Sequence, residues 1–430
     1  MIQYSKNLKL ITKPAGDSDL PFIRVALPVM DEPDLLPRIL HCIAIQSYSR
    51  FKLYVCVNQP DSWWNDQEKV AACANNAASL ELLYGWKGNE IKVQDHSSKG
   101  KGWTGKRRGV GWARKTLMDC IDAEANPDDL IISLDADTVF SKDYFRSVAM
   151  NFKSHPEAVA LSVPYFHKTV PDMSASRAML RYEIYMRYYF LNLERIDSPY
   201  AFTALGSAMA LPVWAYRAIG GLTPKLSGED FYFLQKLRKF GPVLLWNEEI
   251  VYPEARFSDR VFFGTGPAMI KGATGDWLSY PIYPAELFDE ILKTYLLIPV
   301  FYLKPISTTI VNFITTTSKE PDPISSLRKN HTDLEHFTRA FHEKFDGLRV
   351  LQFLKSSHEK IQTTDEENLG DFLHRFYPGE EFVKSAIDLQ NLSFNESNLS
   401  ELEKVRGFLF EKEMQVRATS APVSPGRPPL

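Results

Sequence analysis

Two carboxylates one residue apart, Asp135 and Asp137, close the apolar run from Leu130 to Leu134. Side chains at i and i+2 leave a strand on the same side. Their oxygens can therefore share one hard divalent cation, Mg2+ or Mn2+, with coordination positions left for phosphate oxygens. The same residues also suit a solvated Asp-x-Asp turn, and the triplet alone does not choose between the two. A second acidic pair, Glu229-Asp230, follows Gly228 at the opening of a helical pattern. The positive end of a helix dipole favours an ionised carboxylate there, a fit state for a general base acting on a hydroxyl. The alternative is a helix cap with no chemistry.

Other stretches could serve a ligand at the same centre. In the loop after the first apolar run, Pro28-Val-Met-Asp-Glu32, the carboxylates of Asp31 and Glu32 can accept hydrogen bonds from a ribose or a base edge. Asp31 could equally cap the next helix. Asn58, at the end of the second apolar run, carries an amide suited to a pyrimidine edge, although Asn also forms turns. Residues 99–115 hold seven basic side chains and five glycines in seventeen positions. Glycine lets the backbone approach a ligand, and a following helix offers free N–H groups to anions. Lys106 and Arg107, expected near the helix start, are the first choices for a diphosphate, against a plain flexible loop leading into a solvated helix. The stretch fits neither the Walker A nor the dinucleotide pattern. Gly206 and Ser207, in the small-residue segment Thr203 to Ala210, could line a cleft or simply pack tightly. Phe231, Leu234, Gln235 and Arg238 share a helical face, and its two polar members need partners that a ligand or a carboxylate could supply. Tyr252 to Gly266 combines two arginines with a Gly-Thr-Gly turn and could close over phosphates or run over the surface.

Alternating elements would position these residues. Apolar runs at 22–30, 51–57, 91–93 and 130–134 read as strands, with helical patterns between them, which implies βαβ crossovers and a mainly parallel sheet. Carboxylates at strand ends then sit where open α/β sheets bind ligands. Helices are expected at 141–152, 174–196 and 229–240, the last closed by Gly241-Pro242. From about residue 285 only helical stripes appear, for instance Leu334, Phe337, Phe341, Phe345 and Leu348. The expected organisation is a lead-in over 1–20, an α/β domain over 21–280, a helical region over 281–416 and a disordered Pro/Ser-rich tail over 417–430. With 430 residues there is ample chain for a core. A net charge of −3 argues against a general nucleic-acid binder. Four cysteines without ligand or paired spacing, and no signal-peptide pattern, suggest a reducing, cytoplasmic setting. The apolar stretch from Thr294 to Ile314 is interrupted by Pro299, Lys304 and Pro305 and falls short of the ~18 apolar residues of a spanning helix. A core helix is expected there, with a peripheral contact at the inner face of the membrane as the alternative.

Taken in order, Pro28-Val-x-Asp-Glu, the strand ending at Asn58, the Gly/basic loop, Asp135-Ala-Asp137, the small-residue segment before Gly220-Gly221 and Gly228-Glu-Asp230 resemble the family 2 glycosyltransferases. The resemblance covers roughly 20–270. It implies a GT-A fold, an α/β domain that binds a nucleotide diphosphate sugar, here a UDP- or GDP-sugar, with Mn2+ or Mg2+. It implies Asp31, Glu32 and Asn58 at the nucleoside, where the family often has Asp in place of Asn58. It further implies Asp135 and Asp137 at metal and diphosphate, Gly206 to Met209 on the acceptor side, and Asp230 as catalytic base beside Glu229. Gln235-Lys-Leu-Arg238 is similar to the Gln-x-x-Arg-Trp motif of processive members, but Lys239 replaces Trp, which suggests a non-processive enzyme. Members often add a late His as metal ligand. The chain has no His between His167 and His331, so solvent, Glu254 or Asp259 would stand in. The implied reaction is inverting sugar transfer to a hydroxyl of a glycan or lipid-linked glycan. The rival expectations are a sugar-phosphate nucleotidyltransferase and a non-catalytic nucleotide-sugar-binding protein.

Overall fold

The computed structural model describes residues 17–420, apart from 106, 226–227, 257–264, 319, 321, 387–388 and 390. Among the described residues the strands are β1 (Ile23–Val29), β2 (Phe51–Asn58), β3 (Ile91–His96), β4 (Leu130–Ser133), β5 (Thr138–Phe140), β6 (Ala160–Ser162), β7 (Met209–Pro212), β8 (Val243–Leu244) and β9 (Val251–Pro253). Seven of them form one sheet in the order β3-β2-β1-β4-β7-β6-β8. All its pairings are parallel except those of β7, which runs against both β4 and β6. The expected α/β architecture with a mainly parallel sheet is thus borne out. Strands β5 and β9 pair antiparallel as a separate ribbon, Thr138 opposite Pro253 and Phe140 opposite Val251.

Strict alternation divides the sheet's side chains between two cores. Ile23, Val25, Leu27 and Val29 of β1 face one core, together with Leu53, Val55 and Val57 of β2. Ala26, Tyr54, Cys56 and Ile131 face the other. The first core is covered by α1 (Leu35–Ala44), the end of α2 (Val70–Tyr84) and α4 (Tyr144–Ser154). The second is covered by α3 (Val110–Asp122), α5 (Met173–Arg195), α6 (Val213–Ala218) and α7 (Glu229–Phe240).

After α8 (Thr265–Ala273) the expected helical region follows. It comprises α9 (Ala285–Leu296), α10 (Ile298–Leu303), α11 (Thr309–Thr317), α12 (Pro323–Asn330), α13 (Leu334–Lys344), α14 (Gly347–His358), α15 (Asp365–Phe376) and α16 (Leu399–Thr419). Its apolar stripes, such as Phe337, Phe341 and Phe345, join the second core without a break. Among the described residues no helix is long and apolar enough to cross a membrane.

Helix α16 continues through Thr419, so Arg417, assigned to a disordered tail from sequence, is helical and fully buried. Its guanidinium donates to Glu413 at 2.8 Å, to the carbonyls of Ser162 and Leu245 at 3.0 and 2.8 Å, and to Thr203 Oγ1 at 2.6 Å. Glu413 also accepts from Arg187 of α5 at 2.5 Å. Arg406 donates to Glu183 of α5 at 2.6 Å and to the His167 carbonyl at 2.8 Å. Buried charges persist only when paired, and these pairs bolt α16 onto α5 and the β6–β8 edge of the sheet. Residues 421–430 lie outside the described residues.

Candidate active site

Helix α3 begins at Val110, after Gly109 with φ 84°. That is later than Lys106 and Arg107, the residues expected at its start. A Cβ at Gly111 would lie 2.5 Å from the Lys225 carbonyl, so glycine permits α3 to approach the segment leading into α7. One turn on, Arg114 is fully buried. It donates to Asp135 at 2.6 Å from one terminal nitrogen and to Glu229 from the other. Gly228, left-handed at φ 68°, turns the chain into α7 and sets Glu229 and Asp230 in its first turn.

Gly206 completes the junction. Its carbonyl accepts from Ser133 Oγ at 2.7 Å, at the end of β4. Its N–H is directed at the Asp230 carboxylate. A Cβ there would stand 2.3 Å from Arg114 Nη2. Asp135, Gly206, Glu229 and Asp230 therefore meet around one guanidinium at the carboxyl end of a parallel strand, the place α/β sheets reserve for ligands. Ser207 is buried beside them. Burial raises the pKa of Asp230 above the usual carboxylate range. Arg114 and the N–H groups of Phe231 and Gly206 pull it back, and the charge of Asp135 adds to the rise. Glu229 is raised for the same first reason, burial, against the pull of Arg114. A carboxylate in such surroundings is a stronger base than a solvated one. Arg114 was not singled out from sequence. The available signal was a cation lying on the apolar stripe of α3, between Ala113 and Leu117, where only carboxylates could satisfy it.

The second acidic residue of the triplet is held differently. Glu254 N–H donates to the Asp137 carbonyl at 3.1 Å, extending the β5–β9 ribbon. The ribbon brings Arg256 over the cleft, where it donates to both oxygens of Glu32 at 2.9 and 2.5 Å and to Asp137 at 3.2 Å. Glu254, a candidate third ligand, pairs with Arg38 at 3.1 Å, and Asp259 lies outside the described residues. Hard oxygens suit Mg2+ or Mn2+, but each carboxylate of the Asp-x-Asp triplet already faces an arginine. Among the described residues no three acidic, His or Cys side chains are grouped to hold a metal. As arranged, the pair does not fit a preformed divalent site.

On the side expected to face the nucleoside, Asp31 adopts φ 57°, a strained value outside glycine. Neighbouring asparagines of α2 hold it there. Asn76 accepts from its N–H at 2.8 Å and Asn75 donates to its carboxylate at 2.7 Å. Asn58 is buried, donating to the Val29 carbonyl at 2.9 Å and accepting from the Trp103 indole at 3.2 Å. Part of the Gly/basic loop folds onto Asp61, which accepts from the N–H groups of Gly100 and Gly102 at 2.8 and 3.3 Å. Arg107 is exposed beside the Trp112 ring, and Lys106 lies outside the described residues.

Gln235 and Arg238 are not brought to this centre. Gln235 donates to Asp346 at 3.0 Å and accepts from the Leu348 N–H at 3.0 Å, capping α14. Arg238 donates to the Pro199 carbonyl at 2.7 Å, and burial lowers its pKa to about 10. Eight residues of α-helix put it roughly 12 Å along the axis from Asp230. A cavity of 260 Å³ near this seam, lined by Lys225, Tyr232, Gln235, Lys236 and Lys239 among others, includes none of the acidic residues above.

Among solved structures, S. aureus TarS 1-349 is similar at 12% identity, covering 93% of this chain and 90% of that one, with a TM-score of 0.39. The same protein in complex with UDP-GlcNAc is similar at 13% identity, 93% and 91% coverage and a TM-score of 0.38. Mannosyltransferase PcManGT from Pyrobaculum calidifontis in complex with GDP-Man and Mn2+ is similar at 13% identity, 91% and 88% coverage and a TM-score of 0.35. No curated protein matches the chain in sequence. The family described as "Glycosyltransferase like family 2" matches residues 21–241, more than half of the chain, across every element that carries the Arg114 cluster, and the chain belongs to that family.

Proposed function

We propose that this glycosyltransferase moves a sugar from a UDP- or GDP-sugar to a hydroxyl of a glycan or lipid-linked glycan, with inversion, and that Asp230 is its base. The observation that carries the reading is the meeting of Asp135, Gly206, Glu229 and Asp230 around Arg114. The acceptor oxygen attacks the anomeric carbon while its proton passes to the Asp230 carboxylate. The bond from the anomeric carbon to the diphosphate oxygen breaks, and the nucleoside diphosphate leaves with the electron pair. A base raised by burial takes that proton more readily than a solvated carboxylate. Glu229, fastened to Arg114, keeps the first turn of α7 in place.

Asp31 and Glu32 face the nucleoside in this reading, and Arg107 with the free N–H groups before α3 offers positive charge to the diphosphate. Asn58 shapes the nucleoside side by fixing Trp103 to the end of β1. No step of the transfer calls on Mn2+ or Mg2+ at Asp135 and Asp137, because both carboxylates are paired with arginines.

The test incubates wild type and Asp230→Asn with a panel of UDP- and GDP-sugars and a hydroxyl acceptor mixture. Release of free nucleoside diphosphate by wild type, lost by at least about 10²-fold in the variant while nucleotide affinity persists, is expected for a general base. Release of pyrophosphate in a parallel incubation with UTP or GTP and a sugar 1-phosphate would make the chain a nucleotidyltransferase instead. Full turnover by Asp230→Asn would remove the base assignment.

A further inference from the structure

Glu32, just past β1, and Asp137, just past β4, lie far apart in sequence yet share one guanidinium. Arg256 donates to both Glu32 oxygens and to Asp137 Oδ2. A two-pronged bond of this kind is geometrically specific, unlike a lone surface pair. Its placement is fixed by backbone as well. The β5–β9 register sets Thr138 opposite Pro253, the Glu254 N–H bonds the Asp137 carbonyl, and Arg256 follows two residues on. The Glu32 side chain is only 7% exposed, against 28% for Arg256 and 23% for Asp137. The buried end of the bridge is thus the Glu32 fork, and the accessible end is Asp137.

We propose that Arg256 is the resident cation of Asp137, tying it to Glu32 before any ligand arrives, so that a divalent metal ion and this guanidinium compete for one carboxylate. Arg256 is then a positioning residue that ties the nucleoside-side carboxylate to the diphosphate side of the cleft. The inference rests on the nucleotide-sugar reading for the meaning of the two sides, but the competition itself does not.

The experiment titrates Mn2+ alone, by the electron paramagnetic resonance of the free ion, into full-length wild type, Arg256→Gln and Arg256→Gln/Asp137→Asn. Removing the guanidinium should tighten Mn2+ binding by about tenfold, the equivalent of ~1.4 kcal/mol, and the second substitution should abolish the gain. Equal or weaker Mn2+ binding by Arg256→Gln overturns the proposal. Arg256→Lys keeps a point charge without the fork and should show a smaller gain in the same direction. Should Arg256→Gln not fold, Lys-variant affinity no greater than wild type overturns the proposal. UDP and GDP affinities are measured in parallel. Binding of neither would count against the donor reading, while the Mn2+ comparison would still decide the competition.

Discussion

Replacing Arg114 by Met keeps the bulk of the side chain and removes the charge that Asp135 and Glu229 share. Breaking a buried ion pair by deleting one partner costs about 3–5 kcal/mol. At roughly 1 °C per kcal/mol for a chain of this size, Tm should fall by about 3–5 °C. The pH dependence is the sharper signature. Burial already pushes Glu229 up to about 7, and the Asp230 carboxyl is raised with it. Arg114 opposes both shifts, so its loss raises both further. A carboxylate whose folded pKa exceeds its unfolded value stabilises the fold at low pH and loses that contribution as pH climbs from the unfolded to the folded value. The deficit of Arg114→Met relative to wild type should therefore be small near pH 5 and grow as pH climbs above about 7, the wild-type value of Glu229.

The assay is Tm against pH for both proteins, run beside the pH profile of nucleoside diphosphate release. Asp230 must be ionised to accept a proton, so wild-type transfer should rise with pH, with an acid limb above the usual carboxylate range. Any residual transfer by Arg114→Met should show that limb displaced upward. Arg114→Lys, one point charge where a fork reaches two carboxylates, should fall between the two. A deficit independent of pH, or none at all, would refute the claim that Arg114 holds the cluster ionised.

Two further substitutions probe the supports of the same site. Gly206→Ala puts a methyl group 2.3 Å from Arg114 Nη2, and overpacking of this kind costs about 1–3 kcal/mol; transfer should fall far more than Tm, and unchanged turnover would show that the segment yields freely. Arg417→Met deletes the guanidinium that holds Thr203 and two strand-end carbonyls; a Tm drop of several degrees with reduced transfer is expected, and a purely local effect without loss of activity would show that α16 does not support the Thr203–Gly206 segment.

Much of the sheet was legible because β1, β2 and β4 are predominantly apolar runs, broken in β1 by Arg24 and in β2 by Lys52, and buried on both faces as parallel strands are. The two acidic pairs were legible because each ends or opens an element. What joins them was not. Arg114 lies in a stretch read as a basic loop and solvated helix, and only the tertiary approach at Gly111 turns it inward. The β5–β9 ribbon, three residues per strand, is too short to carry a period, so nothing local announced Arg256 as the partner of Glu32 and Asp137. Gln235 and Arg238 were correctly placed on one face of α7, and the partners they find are the Asp346 carboxylate and the Pro199 carbonyl. The helical region was ended at residue 416 because Arg417 looks like a surface residue until Glu413, Thr203 and the carbonyls of Ser162 and Leu245 are seen as its partners.

The two arginines divide the cleft between them. Arg114, fully enclosed, is committed to Asp135 and Glu229 and has no route to solvent. Arg256, part exposed, holds Glu32 and Asp137 across the opening. A charge buried on all sides can be exchanged only at a cost of several kcal/mol, whereas an accessible one can trade its carboxylate for a phosphate or be displaced by a metal ion. In the proposed reading the base side of the site is therefore built to stay fixed and the diphosphate side to rearrange. That division predicts that ligands will move Arg256 and leave Arg114 where it is. Adding UDP or GDP should alter hydrogen exchange along β9 and the residues that follow it while leaving the amides of α3 around Arg114 unchanged. Equal protection at both would mean that the cleft closes as one body.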